Sequence, residues 1–490
     1  MQVQENTPHD PLESWLAHAG EFESAALPRA DRTLPLNASH AQRGMWLAQQ
    51  VADAADRSLT TSHVYRLAGP LKAEALRLAL DALVERHEVL RTGFAIGGAD
   101  LIQVVGEPVG ADLDILDVTD PAELPLLVRE FLRQPFDLGR DQLLRSRLYR
   151  VDENTHTLAV AFHHIATDGW SMGIFHEELA GLYRAASLRS GSSAPLAQAA
   201  GLRDLAVQYP DYAVWQRTLA EDGEEYGDSL DYWRTRLADA PAMIALPTDR
   251  PRSQVRSASG GRVHLEVTPE QSALTVRVAA AHGTTPFTLQ FAVFQALLAA
   301  WSEQYELVTG VTTANRALPE TEPLIGFLVN VLPIRTSHTP DTPFAEHLAR
   351  CGTLLREAYE HGDVPFELLL EKLEIPRLPG LKPLIQVTVA AHQDSAPLSL
   401  SGLHTEYLPP ERHDVHDDLT LYLGTTPQGA VVDLDYRSGL FDRETVTALA
   451  HAYVRLLDAA CTGPQQPVAA LIERADAGSP RPDPRQHPRP

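Results

Sequence analysis

Cysteine is almost missing from this chain. Two residues, Cys351 and Cys461, occur in 490, far apart and without a CxxC spacing. That excludes a disulfide framework and a zinc site, and it fits a reducing cytosol. Positive charge is also in deficit, since 41 Lys and Arg against 65 Asp and Glu leave a net charge of −24. Such an acidic surface repels nucleic-acid backbones and anionic membranes, though a local basic patch for a small acidic protein remains compatible with it. No apolar run approaches the roughly 20 residues needed to span a bilayer. The opening stretch, MQVQENTPHDPLESWLAHAGEFES, lacks the basic region and apolar core of a signal peptide. The sequence therefore predicts a cytoplasmic protein with no nucleic-acid and no membrane partner.

What is present describes a soluble globular chain, 44% hydrophobic and 22% charged. At 490 residues it is too long for one ordinary core, so two lobes are expected. Residues 1–33 read as an N-terminal extension and 34–220 as a first lobe. The acidic stretch EDGEEYGDS marks the junction to a second lobe over 221–473, and the proline-rich end, 474–490, reads as disordered. In the first lobe, TLAVAFH (157–163) has the apolar run of a buried strand, and GWSMGIFHEELAGLYRAAS (169–187) has helical spacing. In the second, helices are expected over 285–305 and 344–360, and a strand VNVLPIRT (329–336) ends near Arg335.

Between that first strand and its helix lies HHIATDGW (163–170). Each residue alone has a plain structural account: a core imidazole bonded to backbone, or Asp168 as the cap of the following helix. Together they suggest more. Alternation along a strand turns His163 and His164 to opposite sides, so one faces the interior and the other an adjoining space. Gly169 removes a side chain where a ligand or another backbone can approach. Neighbouring strand residues diverge, and no further ligand stands at a useful spacing, which disfavours a metal held by His163, His164 and Asp168. A histidine near its ordinary pKa suits a general base accepting a proton from an attacking amine or alcohol.

HHIATDG resembles the HHxxxDG motif of the condensation domains of nonribosomal peptide synthetases, within the chloramphenicol-acetyltransferase-like superfamily. Further segments resemble that family's motifs in order: LNASHAQRGMW (36–46), RHEVLRTGF (86–94), YPDYAVWQ (209–216), YWRTRLADAP (232–241), LPTDRPR (246–252), IGFLVNVLPIR (325–335) and HGDVPFELLLEKL (361–373). The likeness spans roughly 34–473. Departures stand at Gly44-Met45, where the family commonly has bulkier apolar residues before Trp46, and after the sixth motif at EIPRLPGLKPLIQVTV. Heterocyclization domains carry two aspartates in place of the double histidine, and epimerization domains differ after the Asp.

The resemblance implies an α/β fold of two acetyltransferase-like lobes in a V-shaped pseudodimer, with the active site at their interface. It implies that His164 is catalytic, that His163 and Asp168 are structural, and that Gly169 leaves room for a thioester arm. Arg335 is the expected partner of Asp168, and Asn330 is expected to line the site or polarise a carbonyl. No cofactor is expected to be bound. The phosphopantetheine arm would come from peptidyl or acyl carrier proteins acting in trans, because neither an adenylation phosphate loop nor a carrier Gly-Gly-x-Ser appears. The acceptor would be a small molecule or carrier-bound, and the product an amide or ester. Two alternatives share the fold: a non-catalytic recruitment module, and a small-molecule O- or N-acyltransferase.

Overall fold

The computed structural model describes residues 27–476, apart from 52–55, 112, 190–193, 223–225, 253–254, 256–257, 377–380, 393–395, 410–413 and 427–428. The expected Pro-rich tail and most of the N-terminal extension lie outside the described residues. The first half of the chain supplies strands β1 (Leu36–Asn37), β2 (Thr60–Ala68), β3 (Thr92–Gly97), β4 (Asp100–Val105), β5 (Asp114–Asp117), β6 (Leu144–Arg150) and β7 (Thr155–His163). The second half supplies β8 (Gly260–Val267), β9 (Glu306–Thr313), β10 (Asn330–Ser337), β11 (Val387–Ala391), β12 (His404–Tyr407), β13 (Leu419–Thr426) and β14 (Gly429–Arg437).

They build a five-stranded sheet in the order β12-β2-β7-β6-β5, a six-stranded sheet β10-β9-β11-β13-β14-β8, and a small sheet β1-β4-β3. Strand β7 is central because THTLAVAFH offers almost no polar face; eight of its nine residues are buried. The helix Gly169–Leu188 packs against the helix Ala73–Arg86 in the first core. In the second core the helix Pro286–Ser302 is apolar on all sides and buried along nearly its whole length. Pro286 and the Thr285 cap start it, and Glu303, in the left-handed region at φ 54°, ends it.

Two hydrophobic cores result, but they are not simply the two halves of the chain. Leu324, Ile325, Leu328, Leu398 and Leu400 come from the second half and are buried in the first core. Strand β12 likewise pairs antiparallel with β2, Tyr407 opposite Tyr65. The helix Tyr209–Asp222 passes between cores: Tyr209, Tyr212 and Ala213 belong to the first, whereas Leu219 and Ala220 pack on the second. The junction expected at EDGEEYGDS (221–229) overlaps the end of this helix and the start of the helix Gly227–Arg236, and its residues 223–225 lie outside the described residues. Gly44 also acquires a reason here. A Cβ on it would lie 2.8 Å from Cγ of Glu367, so the first motif is small where a second-half side chain presses on it.

The crossing at Leu324–Leu328 tolerates no added bulk. A Cβ on Gly326 would lie 2.0 Å from a ring carbon of Tyr209, whose hydroxyl bonds the carbonyl of Phe327 at 2.8 Å. Gly326→Ala should therefore cost about 1–3 kcal/mol in denaturant unfolding, as overpacking of a close-packed site does. Gly227→Ala, where a Cβ meets nothing within 4 Å, should stay within about 0.5 kcal/mol of the parent. Equal stabilities for the two variants would refute this packing account.

Candidate functional site

Strand β7 ends at His163, and His164 opens a 3-10 turn that runs to Ala166. The two imidazoles are locked in opposite tautomers. Nδ1 of His163 accepts the Ile165 N–H at 3.1 Å, so its proton is on Nε2, which lies 3.0 Å from Oε1 of Gln49. Both nitrogens are thereby occupied, and the ring is 2% exposed against Phe136. Burial, with His164 and Arg145 adding to it, pushes His163 down to about 3, so it is held neutral.

His164 turns the other way. Its Nδ1 is 2.6 Å from the carbonyl oxygen of Thr167, which can only accept, so Nδ1 carries the proton. Nε2 then presents a lone pair, and none of the described residues donates to it. The half-buried ring sits edge-on to Phe327 at 5.2 Å and 6.0 Å from the ring of His416. Phe327 belongs to the segment crossing into the first core, and His416 stands just before β13. One imidazole nitrogen with a free lone pair thus belongs to a ring that touches residues from both halves of the chain. Such a group can take a proton from a nucleophile or hold it in place.

Asp168 caps the helix Gly169–Leu188, accepting the Ser171 N–H at 2.8 Å. Its carboxylate is also the buried end of an ion pair, and the expected partner was the wrong arginine. The partner is Arg316, whose Nη2 lies 3.1 and 3.2 Å from the two carboxylate oxygens; both side chains are almost wholly buried. Arg316 Nη1 donates to the carbonyls of Thr321 and Leu324 at 2.6 and 2.8 Å, and the Leu328 N–H donates to Asp168 at 3.1 Å. Ser171 Oγ accepts the Gly326 N–H at 3.0 Å. The pair therefore ties the first lobe to the crossing segment.

Arg335 stands instead opposite Val308 in the β9–β10 ladder, bonds Glu306 at 2.7 Å and the carbonyl of Arg236 at 3.2 Å, and is a quarter exposed. The reason is strand length: Arg335 lies five residues past Asn330, about 17 Å along an extended chain, at the end of β10 away from the crossing. Asn330 also departs from expectation. Its Nδ2 donates to the carbonyls of Gly362 and Val364 at 2.9 and 2.7 Å, and its Oδ1 accepts the N–H groups of Val331 and Phe366 at 3.0 Å each. Both amide protons are spent on the HGDVPFE loop, which leaves none to polarise a substrate carbonyl. Gly169 is an exposed first residue of its helix. Sequence reasoning missed Arg316, Gln49 and Thr167. The signal for Arg316 was its place in VTTANRALPE, directly past the end of β9 and within the same crossing as IGF.

The model of the condensation domain family matches residues 33–476, and the chain belongs to that family. It is 34% identical over 460 residues to a linear gramicidin synthase of Brevibacillus parabrevis, a match that covers 91% of this chain and 6% of that protein. It is 34% identical over 468 residues to phosphinothricin tripeptide synthetase PhsC of Streptomyces viridochromogenes, covering 93% and 42%. The chain thus spans less than half the length of these relatives. The X-domain from teicoplanin biosynthesis superposes with a TM-score of 0.82 at 30% identity, over 91% of this chain and 99% of that one. The first condensation domain of the calcium-dependent antibiotic synthetase shares the fold at a TM-score of 0.70 and 21% identity, over 90% and 99%. The architecture is accordingly the chloramphenicol-acetyltransferase-like α/β fold. Among the described residues, no helix is long and apolar enough to cross a membrane.

The two arginines separate cleanly by stability. Arg316→Ala leaves Asp168 buried and unpaired, and should cost about 3–5 kcal/mol. Arg335→Ala breaks a partly exposed pair, and should cost about 1 kcal/mol or less. Chemical denaturation of both variants checks this, and a larger loss for Arg335→Ala would overturn the assignment.

Buried neutral histidines also set the acid limit. His163 has a folded-state pKa of about 3 against an ordinary 6.5, so the unfolded chain binds a proton that the folded chain refuses. Its stabilisation is complete above about pH 6.5 and declines as pH falls toward 3, with a limiting slope of about 1.4 kcal/mol per pH unit. Unfolding free energy should therefore drop between about pH 7 and 5, and less steeply in His163→Asn than in the parent. Identical slopes would remove His163 from this account.

Proposed function

We propose that this chain is a condensation enzyme of nonribosomal peptide or related natural-product biosynthesis. It would transfer an acyl or aminoacyl group from a phosphopantetheine thioester on a carrier protein to an amine or alcohol. The observation that carries this reading is the free Nε2 of His164, held as a proton acceptor by the Nδ1–H bond to Thr167. A thioester is already activated, so no nucleophilic side chain is required. The acceptor nitrogen or oxygen adds to the thioester carbonyl carbon and the C–S bond breaks. The proton lost by the nucleophile passes through Nε2 to the departing thiolate, and an amide or ester remains. Proximity supplies most of the acceleration in such a step, and His164 supplies the proton acceptor. Gly169, with no side chain beside this turn, would leave passage for the arm. The protein would bind no cofactor of its own and would work in the cytoplasm, where its two buried free cysteines stay reduced.

A second reading has one observation in its favour. The X-domain structures superpose better than the calcium-dependent antibiotic condensation domain, 0.82 against 0.70, and one X-domain was solved as a complex with OxyB. Under that reading the chain would dock partner proteins without catalysis. The two are separated by loading a carrier with a panel of acyl groups and following acceptor acylation by intact mass. His164→Ala should keep its fold and its carrier docking while losing at least about 10²-fold in rate. Docking without turnover of any donor in the parent protein would favour the recruitment module, and near-parental turnover by His164→Ala would remove that residue from catalysis.

A further inference from the structure

Next to His416, on the second-lobe side of the site, is a cavity walled by Arg252, Lys382, His416, Asp417, Asp418 and Arg437. Its carboxylates are already engaged. Lys382 Nζ donates to Asp417 at 2.6 Å, and Arg252 holds Asp418 through two hydrogen bonds, one of 3.0 Å. Three cations against two carboxylates leave a surplus of one positive charge (3 − 2 = 1) in a chain whose net charge is −24. Arg437 is under-used: Nη2 donates to the carbonyl of His416 at 2.9 Å, but its buried Nε–H makes no hydrogen bond and has only a long ion pair, 3.6 Å, to Asp418, which Arg252 already holds. A buried guanidinium N–H without a hydrogen bond is costly, and an anionic oxygen in the cavity would satisfy it. Lys382 is half exposed and has protons beyond the one given to Asp417.

The cavity also borders the reacting centre. Its wall residue His416 lies ring to ring with His164, 6.0 Å between centroids. Burial and then Lys382 depress the His416 imidazole well below the ordinary range, so it adds no charge of its own. A group seated between Arg437 and Lys382 is therefore only a short spacer away from an atom reacting at His164 Nε2. The phosphate of a pantetheine arm does not fit that requirement, because it stands at the opposite end of the arm from the thioester. A carboxylate carried by one of the two reacting molecules does.

We propose that this cavity is a carboxylate subsite, in which Arg437 and Lys382 hold an acid group of the acceptor or of the acyl donor while the reaction proceeds at His164. The substrate class rests on the condensation reading, but the binding site does not, so the test reads binding and turnover separately. Calorimetry with the full chain compares ω-amino acids of about two to five carbons with their carboxamides, and succinyl-pantetheine with succinamoyl-pantetheine. At least one acid should bind about tenfold or more tightly than its amide, the strength of one charge-assisted contact. Preference in the amino-acid arm assigns the carboxylate to the acceptor, and preference in the acyl arm assigns it to the donor. Arg437→Gln and Lys382→Gln, the latter retaining a donor for Asp417, should erase the preference, and His164→Ala should keep it. Acid and amide binding equally in every pair would overturn the subsite from the parent protein alone, whatever the variants do. A preference that survives both glutamine variants would overturn it as well. An acid preference with no acylation of any acceptor upholds the subsite and counts against the catalytic reading.

Discussion

A carboxylate buried without a counter-charge is not tolerated in a protein interior, and Asp168 is buried at the point where a strand of one lobe hands over to a helix. Its answer is Arg316, carried by a segment whose chain neighbours belong to the other lobe. Much of the arrangement follows from that contact. Arg316 spends its second terminal nitrogen, Nη1, on the carbonyls of Thr321 and Leu324, which folds the crossing segment back on itself. The fold in turn buries Leu324, Ile325 and Leu328 in the first core and brings Phe327 edge-on to His164. One carboxylate thus caps a helix, joins two lobes and shapes one wall of the site.

The adjacent histidines divide the work by the same logic of partners. His163 meets a donor at Nδ1 and an acceptor at Nε2, and is finished as a structural group. His164 meets an acceptor at Nδ1 alone, and its remaining nitrogen is left for chemistry. Neither outcome depends on the imidazole itself. It depends on which backbone group each Nδ1 meets along the turn, the Ile165 N–H for His163 and the Thr167 carbonyl for His164. The second lobe approaches with His416, Lys382 and Arg437, which makes that wall of the site polar and locally positive within an acidic protein.

Much of this was legible in the chain alone, and the reason is local. The short, apolar run before His163 reads as a buried strand, and the helix after Asp168 is announced by its cap and its spacing, so strand, turn and helix could be placed from sequence. The helix Phe344–Glu360 was equally plain from its amphipathic face. Strand β12 was not: His404–Tyr407 is a short, mostly exposed run that is a strand only because β2 offers an open edge to it. Strand β8, GGRVHLEV, is similar, its alternation carried by Val263 and Val267 with glycines at the start.

The motif and the two adjacent imidazoles were determined by the sequence, because each is a matter of residue type within one turn of chain; a positive partner for Asp168 was expected only from the family resemblance. Which arginine is that partner was decided by tertiary structure. Arg316 follows β9 and Arg335 lies within β10, and only the crossing of 314–329 into the first lobe brings one to the carboxylate while β10 carries the other away. Asn330 was likewise decided by its neighbours, since the loop of Gly362 and Val364 claims both of its amide protons. Pairings across 148 residues of chain, such as Arg316 with Asp168, are set by how two cores share their segments, and no local spacing records that.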